Sequence, residues 1–219
     1  MIHGMTRREA VALMGLSGAA LLARHAAAQG TGRVPACVVR PQQTEGPFFI
    51  DEKLNRSDIR SNPGRSDTRP GASLELAFAV SRLSGGACAP LGGAQVDVWH
   101  CDASGAYSDG AQKFLRGYQV TDGTGAARFV TIYPGAYGGR AVHIHFKIRV
   151  PGQEYTSQIY FDEAVTDRVF AVEPYARTGQ RRLRNEGDGL FRSGGRQLLV
   201  SPTPSGAGYT TTFELALST

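Results

Sequence analysis

Tyr133-Pro134-Gly135-Ala136-Tyr137-Gly138-Gly139-Arg140-Ala141-Val142-His143-Ile144-His145-Phe146 passes from a Gly/Pro turn into an alternating strand, and that alternation decides how the chain folds. Val142, Ile144, Phe146, Ile148 and Val150 are apolar, while His143, His145, Lys147 and Arg149 fall between them. Side chains on a strand alternate faces, so one face offers an unbroken apolar row to a core. The other presents both imidazoles, about 7 Å apart along the strand. Two ring nitrogens at that spacing can converge on one metal ion. A His-x-His strand is also commonly an exposed pair, or a single histidine hydrogen-bonded at a sheet edge. Of the five histidines, His3 and His25 fall in the leader discussed below, which leaves His100, His143 and His145. Two of three remaining histidines on one strand face favour the metal reading. Tyr137 stands just upstream, and Tyr107 lies in the earlier loop Ala103-Ser104-Gly105-Ala106-Tyr107-Ser108.

The 219 residues, 41% hydrophobic with 28 glycines and 11 prolines, suit one globular domain with many turns and a single core. The formal charge of +5 overstates the basic character. Without Arg7, Arg8, Arg24 and Glu9 of the leader, the balance is 21 basic to 18 acidic residues, or +3. No Lys/Arg run is interleaved with aromatics, so nucleic acid is not an expected partner. The arginines at 177, 181, 182 and 184 read as a solvated helix or loop rather than a docking patch.

Residues 1–28 read as an address. Arg7 and Arg8 form a twin arginine, residues 10–22 are a short apolar run, and Ala26-Ala27-Ala28 offers the small residues a signal peptidase reads. The run is too short to span a bilayer as a mature helix, so no stable membrane anchor is expected. The expectation is twin-arginine export, cleavage after Ala28, and a periplasmic or extracellular protein. Cys37, Cys88 and Cys101 then make an odd count in an oxidising compartment. One disulfide is expected, with Cys88–Cys101 as the pairing that would pin the loop leading to Tyr107. Cys37 pairing with either of the others is the alternative.

Residues 29–70 form an irregular N-terminal arm punctuated by Pro35, Pro41, Pro47, Asn62-Pro63-Gly64 and Arg69-Pro70-Gly71. Within it, Thr44-Glu45-Gly46-Pro47-Phe48-Phe49 reads as a hydrophobic clamp, and such an arm can also cover a site. Residues 71–219 carry strand signals at 74–80, 94–100, 141–150, 155–161, 197–201 and 209–217. A hairpin at 117–120 and 126–132 is predicted across Asp122-Gly123-Thr124-Gly125. The one helical candidate is 162–178, a short turn or two broken at Pro174. Short strands between turn clusters predict an all-β fold, a β-sandwich of two packed sheets with long loops.

The order Tyr107, Pro134-Gly135-Ala136-Tyr137 and Arg140-Ala141-Val142-His143-Ile144-His145 now carries a resemblance. With Thr44-Glu45-Gly46-Pro47-Phe48-Phe49 upstream and Val96-Asp97-Val98-Trp99-His100-Cys101-Asp102-Ala103 leading into Tyr107, it resembles the intradiol ring-cleavage dioxygenases. That is the family of protocatechuate 3,4-dioxygenase and catechol 1,2-dioxygenase, and the nearest likeness is to an exported branch with one catalytic domain. The likeness runs from about Thr44 to Leu217. It implies non-haem Fe(III) held by Tyr107, Tyr137, His143 and His145, and cleavage of a small aromatic diol by O2 to a cis,cis-muconate. It further implies that Tyr137 leaves the metal to act as a base and that Arg140 stabilises negative charge on the ring. Gln158 matches a position behind the ligands. Ferric iron is a hard acid that favours anionic oxygen, which suits two phenolates. His100, after Trp99 on a strand, is read as a hydrogen-bonding residue at the core edge.

Two departures qualify the likeness. Only five residues separate Tyr137 from His143, which suggests a more open site than the catabolic enzymes have. The helical N-terminal region through which catechol 1,2-dioxygenases dimerise is missing, so homo-oligomerisation stays open. Two other classes are weighed beside the dioxygenase. One is a secreted β-sandwich binding module without catalysis. The other is a zinc hydrolase using His143 and His145, with Asp97 or Asp102 as a further ligand.

Overall fold

The computed structural model describes residues 37–178 and 183–218. The predicted leader and the first residues of the predicted arm lie outside the described residues, as do Arg181 and Arg182. Among the described residues no helix is long and apolar enough to cross a membrane.

Ten strands dominate: β1 (Ser73–Ser84), β2 (Ala87–Pro90), β3 (Gln95–Trp99), β4 (Arg116–Val120), β5 (Ala126–Ile132), β6 (His143–Val150), β7 (Gln153–Phe161), β8 (Leu199–Val200), β9 (Thr203–Ser205) and β10 (Gly208–Ser218). They form two mixed sheets. In the first, β10 runs parallel to β1 along one edge, and β9 pairs with β10. The other edge of β1 is shared end to end by β5 and β2. The second sheet has the order β4-β3-β6-β7-β8, with the histidine strand β6 at its centre.

The sheets pack through the apolar rows the alternation predicts. Ile144, Phe146 and Ile148 of β6 are fully buried, as are Leu74, Leu76 and Phe78 of β1. Phe146 reaches across to Phe78 and Phe213, with ring centroids at 5.4 and 5.1 Å, and Phe129 lies 6.0 Å from Phe78. Burial of such aromatics is the main favourable term in a core of this kind.

Three expectations are corrected. Strands β4 and β5 do not form a hairpin: β4 pairs with β3 in the second sheet and β5 with β1 in the first. The turn between them changes sheets. Gly125 adopts φ +76° and lies so close to β1 that a Cβ would meet Val80 O at 2.2 Å, so the turn is pressed onto the first sheet. The disulfide joins Cys37 to Cys88, not Cys88 to Cys101, and Cys101 is a buried thiol. The helical candidate forms as expected: α1 (Glu163–Phe170) makes about two turns, Asp162 caps it through Ala164 N and Val165 N, and it stops before Pro174. The strand expected at 197–201 shrinks to two residues, because residues 195–198 curl into a 3-10 turn.

The arm touches both sheets. Bridges join Asn55 to Tyr118 of β4 and Asp58 to Val130 of β5. Its earlier part crosses β7, where Gln43 N donates to Thr156 O and Ser157 Oγ donates to Pro41 O. That path lays residues 43–49 over the outer face of the second sheet, the face that carries the histidines.

Candidate metal centre

Sheet register assembles the floor of the site. Across the three central strands of the second sheet, His145 pairs with Trp99 of β3 on one side and Gln158 of β7 on the other, and His143 pairs with Tyr160. Paired residues share a face, so these side chains form one contiguous surface. The Trp99 and His145 rings stack at 5.1 Å with an interplanar angle of 8°.

The two tyrosines arrive on loops. Asp102 shapes the first: its carboxylate accepts from Ser104 N and Ala106 N, and Gly105 turns the chain at φ +85° toward Tyr107. The second loop carries Gly135, whose missing side chain is essential here. A Cβ would lie 2.5 Å from Ala103 O and 2.6 Å from Asp102 O, so only glycine lets the two loops touch. The consequence is that Tyr137 meets Tyr107 edge-on at 5.2 Å between centroids. Arg116 braces the arrangement, donating from Nε to Ser108 Oγ at 2.7 Å and from Nη1 to Phe48 O at 3.1 Å.

The polar atoms converge. His143 Nε2 and His145 Nε2 are 3.1 Å apart, and Tyr107 OH is 3.4 Å from His143 Nε2. His143 Nδ1 sits 2.6 Å from Ala141 O, which assigns its proton to Nδ1 and leaves a lone pair on Nε2. His145 Nδ1 is buried without a hydrogen-bond partner. Burial, followed by the charge of Arg140, pushes His143 down to about 4; burial and then His143 push His145 well below its ordinary value. Both imidazoles are therefore neutral at neutral pH, as ligation of a metal requires. Burial also pushes the Tyr107 phenol up. An ionised Tyr107 thus needs a cation beside it. Neutral imidazoles aimed at one another beside a phenol oxygen are a donor set that fits a ferric ion.

Other sequence-named groups are engaged elsewhere. His100 is fully buried between Cys101 O (2.8 Å) and Thr131 Oγ1 (2.6 Å), a core-edge hydrogen-bonding residue as read from the sequence. Asp97 binds Gln95 and Arg149, and Asp102 binds Arg69 and Ser104. Among the described residues no three His, Cys, Asp or Glu side chains gather around a metal position, so a zinc site completed by a carboxylate has no third ligand.

Arg140 lies near the imidazoles, close enough for its charge to act on both, and is held on two sides. Its Nε donates to Asp188 Oδ2 at 2.8 Å, and its Nη2 donates to Gln158 Oε1 at 2.8 Å and to Tyr160 OH at 3.2 Å. Gln158 is fully buried and in turn donates to Thr44 O at 3.0 Å. Asp188, Tyr160, Gln43 and Arg116 were not singled out by sequence reasoning. Tyr160 could have been found, since its place beside His143 follows from pairing β7 with β6.

The arm closes over this surface. Phe48 stacks on Tyr107 at 4.1 Å and meets Tyr137 edge-on at 5.3 Å, while Phe49 packs against Trp99 at 4.8 Å. Gly46 lies against the His145 ring. The clamp and the cover are one structure.

Comparison with known proteins places this geometry. The family model described as "Dioxygenase" matches residues 44–194. A catechol 1,2-dioxygenase of Candida albicans is 30% identical over 155 residues, covering 58% of this chain and 50% of that protein. The chain thus spans about half the length of the sequence relatives it matches. Among solved structures, an intradiol ring-cleavage dioxygenase from Tetranychus urticae superposes with a TM-score of 0.74 at 32% identity, covering 82% of this chain and 94% of that one. The dioxygenase domain of a carbohydrate-binding fusion protein from Streptomyces sp. SirexAA-E gives 0.65 at 31%, covering 82% and 98%.

Proposed function

The chain belongs to the intradiol ring-cleavage dioxygenase family, and from that premise we propose that it uses non-haem Fe(III) to cleave catechol-type diols with O2, giving cis,cis-muconate-type products. One observation carries the proposal. The family order of two tyrosines and two histidines, scattered over 39 positions of sequence, closes into one cluster whose imidazoles are neutral and convergent.

Tyr107, Tyr137, His143 and His145 would hold the iron. When bound, Fe(III) would draw electron density from a chelated diol and open its ring carbons to dioxygen. The chain's own groups supply the rest. Tyr137 is half-buried and is followed by Gly138 and Gly139 in its loop; the family resemblance implies that it is the ligand that would give way to substrate. As a phenolate it would take a proton from a substrate hydroxyl. The Arg140 guanidinium, whose charge is felt by His143, His145 and Tyr107, offers a cation where the ring gains negative charge. Gln158 and Asp188 fix its orientation. Phe48, Trp99 and the arm exclude water from the imidazoles.

Export completes the reading. Residues 1–28 direct the protein out of the cytoplasm, and a disulfide between Cys37 and Cys88 suits an oxidising compartment. The test is oxygen uptake by iron-loaded protein given catechol, with the product followed by ultraviolet absorbance and mass. Uptake of one O2 per ring, with both atoms recovered in a ring-opened diacid, supports the proposal. Stoichiometric iron without turnover of catechol, protocatechuate or hydroxyquinol would count against ring cleavage, and no iron binding at all would favour a binding module.

A further inference from the structure

Asp188 is 48 residues from Arg140 in sequence, and its carboxylate is 2% exposed. Its two oxygens have separate tasks. Oδ1 accepts from Leu190 N at 2.8 Å and Phe191 N at 3.4 Å, which caps the four-residue helix α2 (Gly189–Arg192). Oδ2 points away from that helix and accepts from Arg140 Nε at 2.8 Å and Ala141 N at 2.9 Å. Ala141 is also the residue whose carbonyl receives His143 Nδ1. A serine or asparagine would cap a helix as well, so capping alone does not account for a buried charge.

We propose that Asp188 is a positioning residue of the metal centre: through Oδ2 it orients the Arg140 guanidinium and, by way of Ala141, sets the tautomer and direction of the His143 ring. Its bonds belong to a closed circuit. Arg140 Nη2 reaches Gln158 and Tyr160, Tyr160 OH donates to Gln43 Oε1 at 2.9 Å, and Gln43 Nε2 donates to Leu190 O at 2.7 Å, beside the cap. The arm, the arginine and the histidine are thus tied to one carboxylate. Without Oδ2, Arg140 keeps only its Nη2 bonds and can pivot about them, and Ala141 N loses its acceptor. The catalytic consequence rests on the ring-cleavage reading, but the clamp itself is a property of the metal-free protein.

Two variants separate the tasks. Asp188→Ser retains a good cap but cannot reach Arg140, and Asp188→Asn retains size while losing the charge. In metal-free, 15N-labelled protein, Arg140 Nε–H and His143 Nδ1–H should exchange slowly with water; Asp188→Ser should lose that protection while Leu190 N–H keeps it, and Asp188→Asn, with one acceptor oxygen in place of two, should lose protection at either the clamp or the cap. With iron, chelator competition should show affinity falling about 10- to 100-fold, the usual effect of removing a partner behind a metal ligand. Turnover should show a lowered kcat with KM within about twofold, as expected for an interaction made in the transition state. Unchanged exchange at Arg140 and His143 in folded Asp188→Ser would overturn the proposal and leave Asp188 a cap. If wild-type protein binds no iron, the ring-cleavage reading fails, and the exchange data still decide the clamp. Should neither variant fold, the wild type decides alone. Arg140 Nε–H must exchange at least tenfold slower than Arg65 Nε–H, which makes an exposed pair with Asp67; equal rates would overturn the proposal.

Discussion

Replacing Gly46 by alanine sets a methyl group between the arm and the metal centre. Gly46 has φ +71°, and its Cβ would lie 3.1 Å from His145 Cε1 and 3.6 Å from Nε2. The backbone cost is about 1–2 kcal/mol for holding an L-residue in the left-handed region. For a domain of this size that lowers the melting temperature by about 2–8 °C. The contact is a second, separate effect. Carbon atoms prefer about 3.5–4.0 Å, and the His145 ring cannot retreat freely because Trp99 stacks against it. Gly64 supplies the control: its φ is +73° and nothing lies within 4 Å of its Cβ. Gly64→Ala should therefore carry the backbone cost alone. Thermal melts of the metal-free proteins should fall for both, whereas chelator competition should show iron held about tenfold less tightly only in Gly46→Ala. Equal iron affinity in the two variants would refute the idea that the arm is seated on the ligand histidine.

His100 predicts acid sensitivity of a defined sign. Burial holds it down to about 4, so the fold keeps it neutral while the unfolded chain titrates near 6.5. Its contribution is complete above pH 6.5 and is lost as the pH falls toward 4, amounting to roughly 3 kcal/mol at most. Urea melts of wild type and His100→Gln at pH 7.5, 5.5 and 4.5 should converge as the pH falls; a constant difference would contradict this. The Cys37–Cys88 disulfide closes a separation of 51 residues and should stabilise by about 4 kcal/mol on the chain-entropy scale. Reductant should lower the melting temperature of wild type but not of Cys88→Ser. Cys101, buried with its thiol pushed up to about 12, should resist iodoacetamide until the protein unfolds.

The histidine strand was legible because its alternation is complete: each apolar residue from Ile144 to Ile148 is in the core and both histidines share the opposite face. What period and spacing could not show was partnership at long range. Asp122-Gly123-Thr124-Gly125 is a good turn in either topology, and it is the register of β5 with β1, from Ser73 opposite Ile132 to Ala79 opposite Ala126, that places β5 in the other sheet. Cys37 and Cys88 pair because the arm passes β2, a strand too short and Pro-bounded to signal itself. At the site, the four metal-binding candidates formed a motif, whereas their supports did not. Asp188 stands between Gly187 and Gly189 with no local sign of a distant arginine, and Arg116 reads as an ordinary charged residue at the start of a strand. Gly135 read only as part of a Gly/Pro turn, because the loop it must approach, at Asp102 and Ala103, lies far earlier in the sequence.

The most direct test of the centre is the visible spectrum of iron-loaded protein with metal analysis on the same sample. Phenolate bound to Fe(III) gives a wine-red charge-transfer band. Iron should be near one per chain with that colour, the band should shift or weaken in Tyr137→Phe, and iron should be lost in His145→Ala. A protein that stays colourless after ferric reconstitution, or a band indifferent to Tyr137 and Tyr107, would contradict this centre.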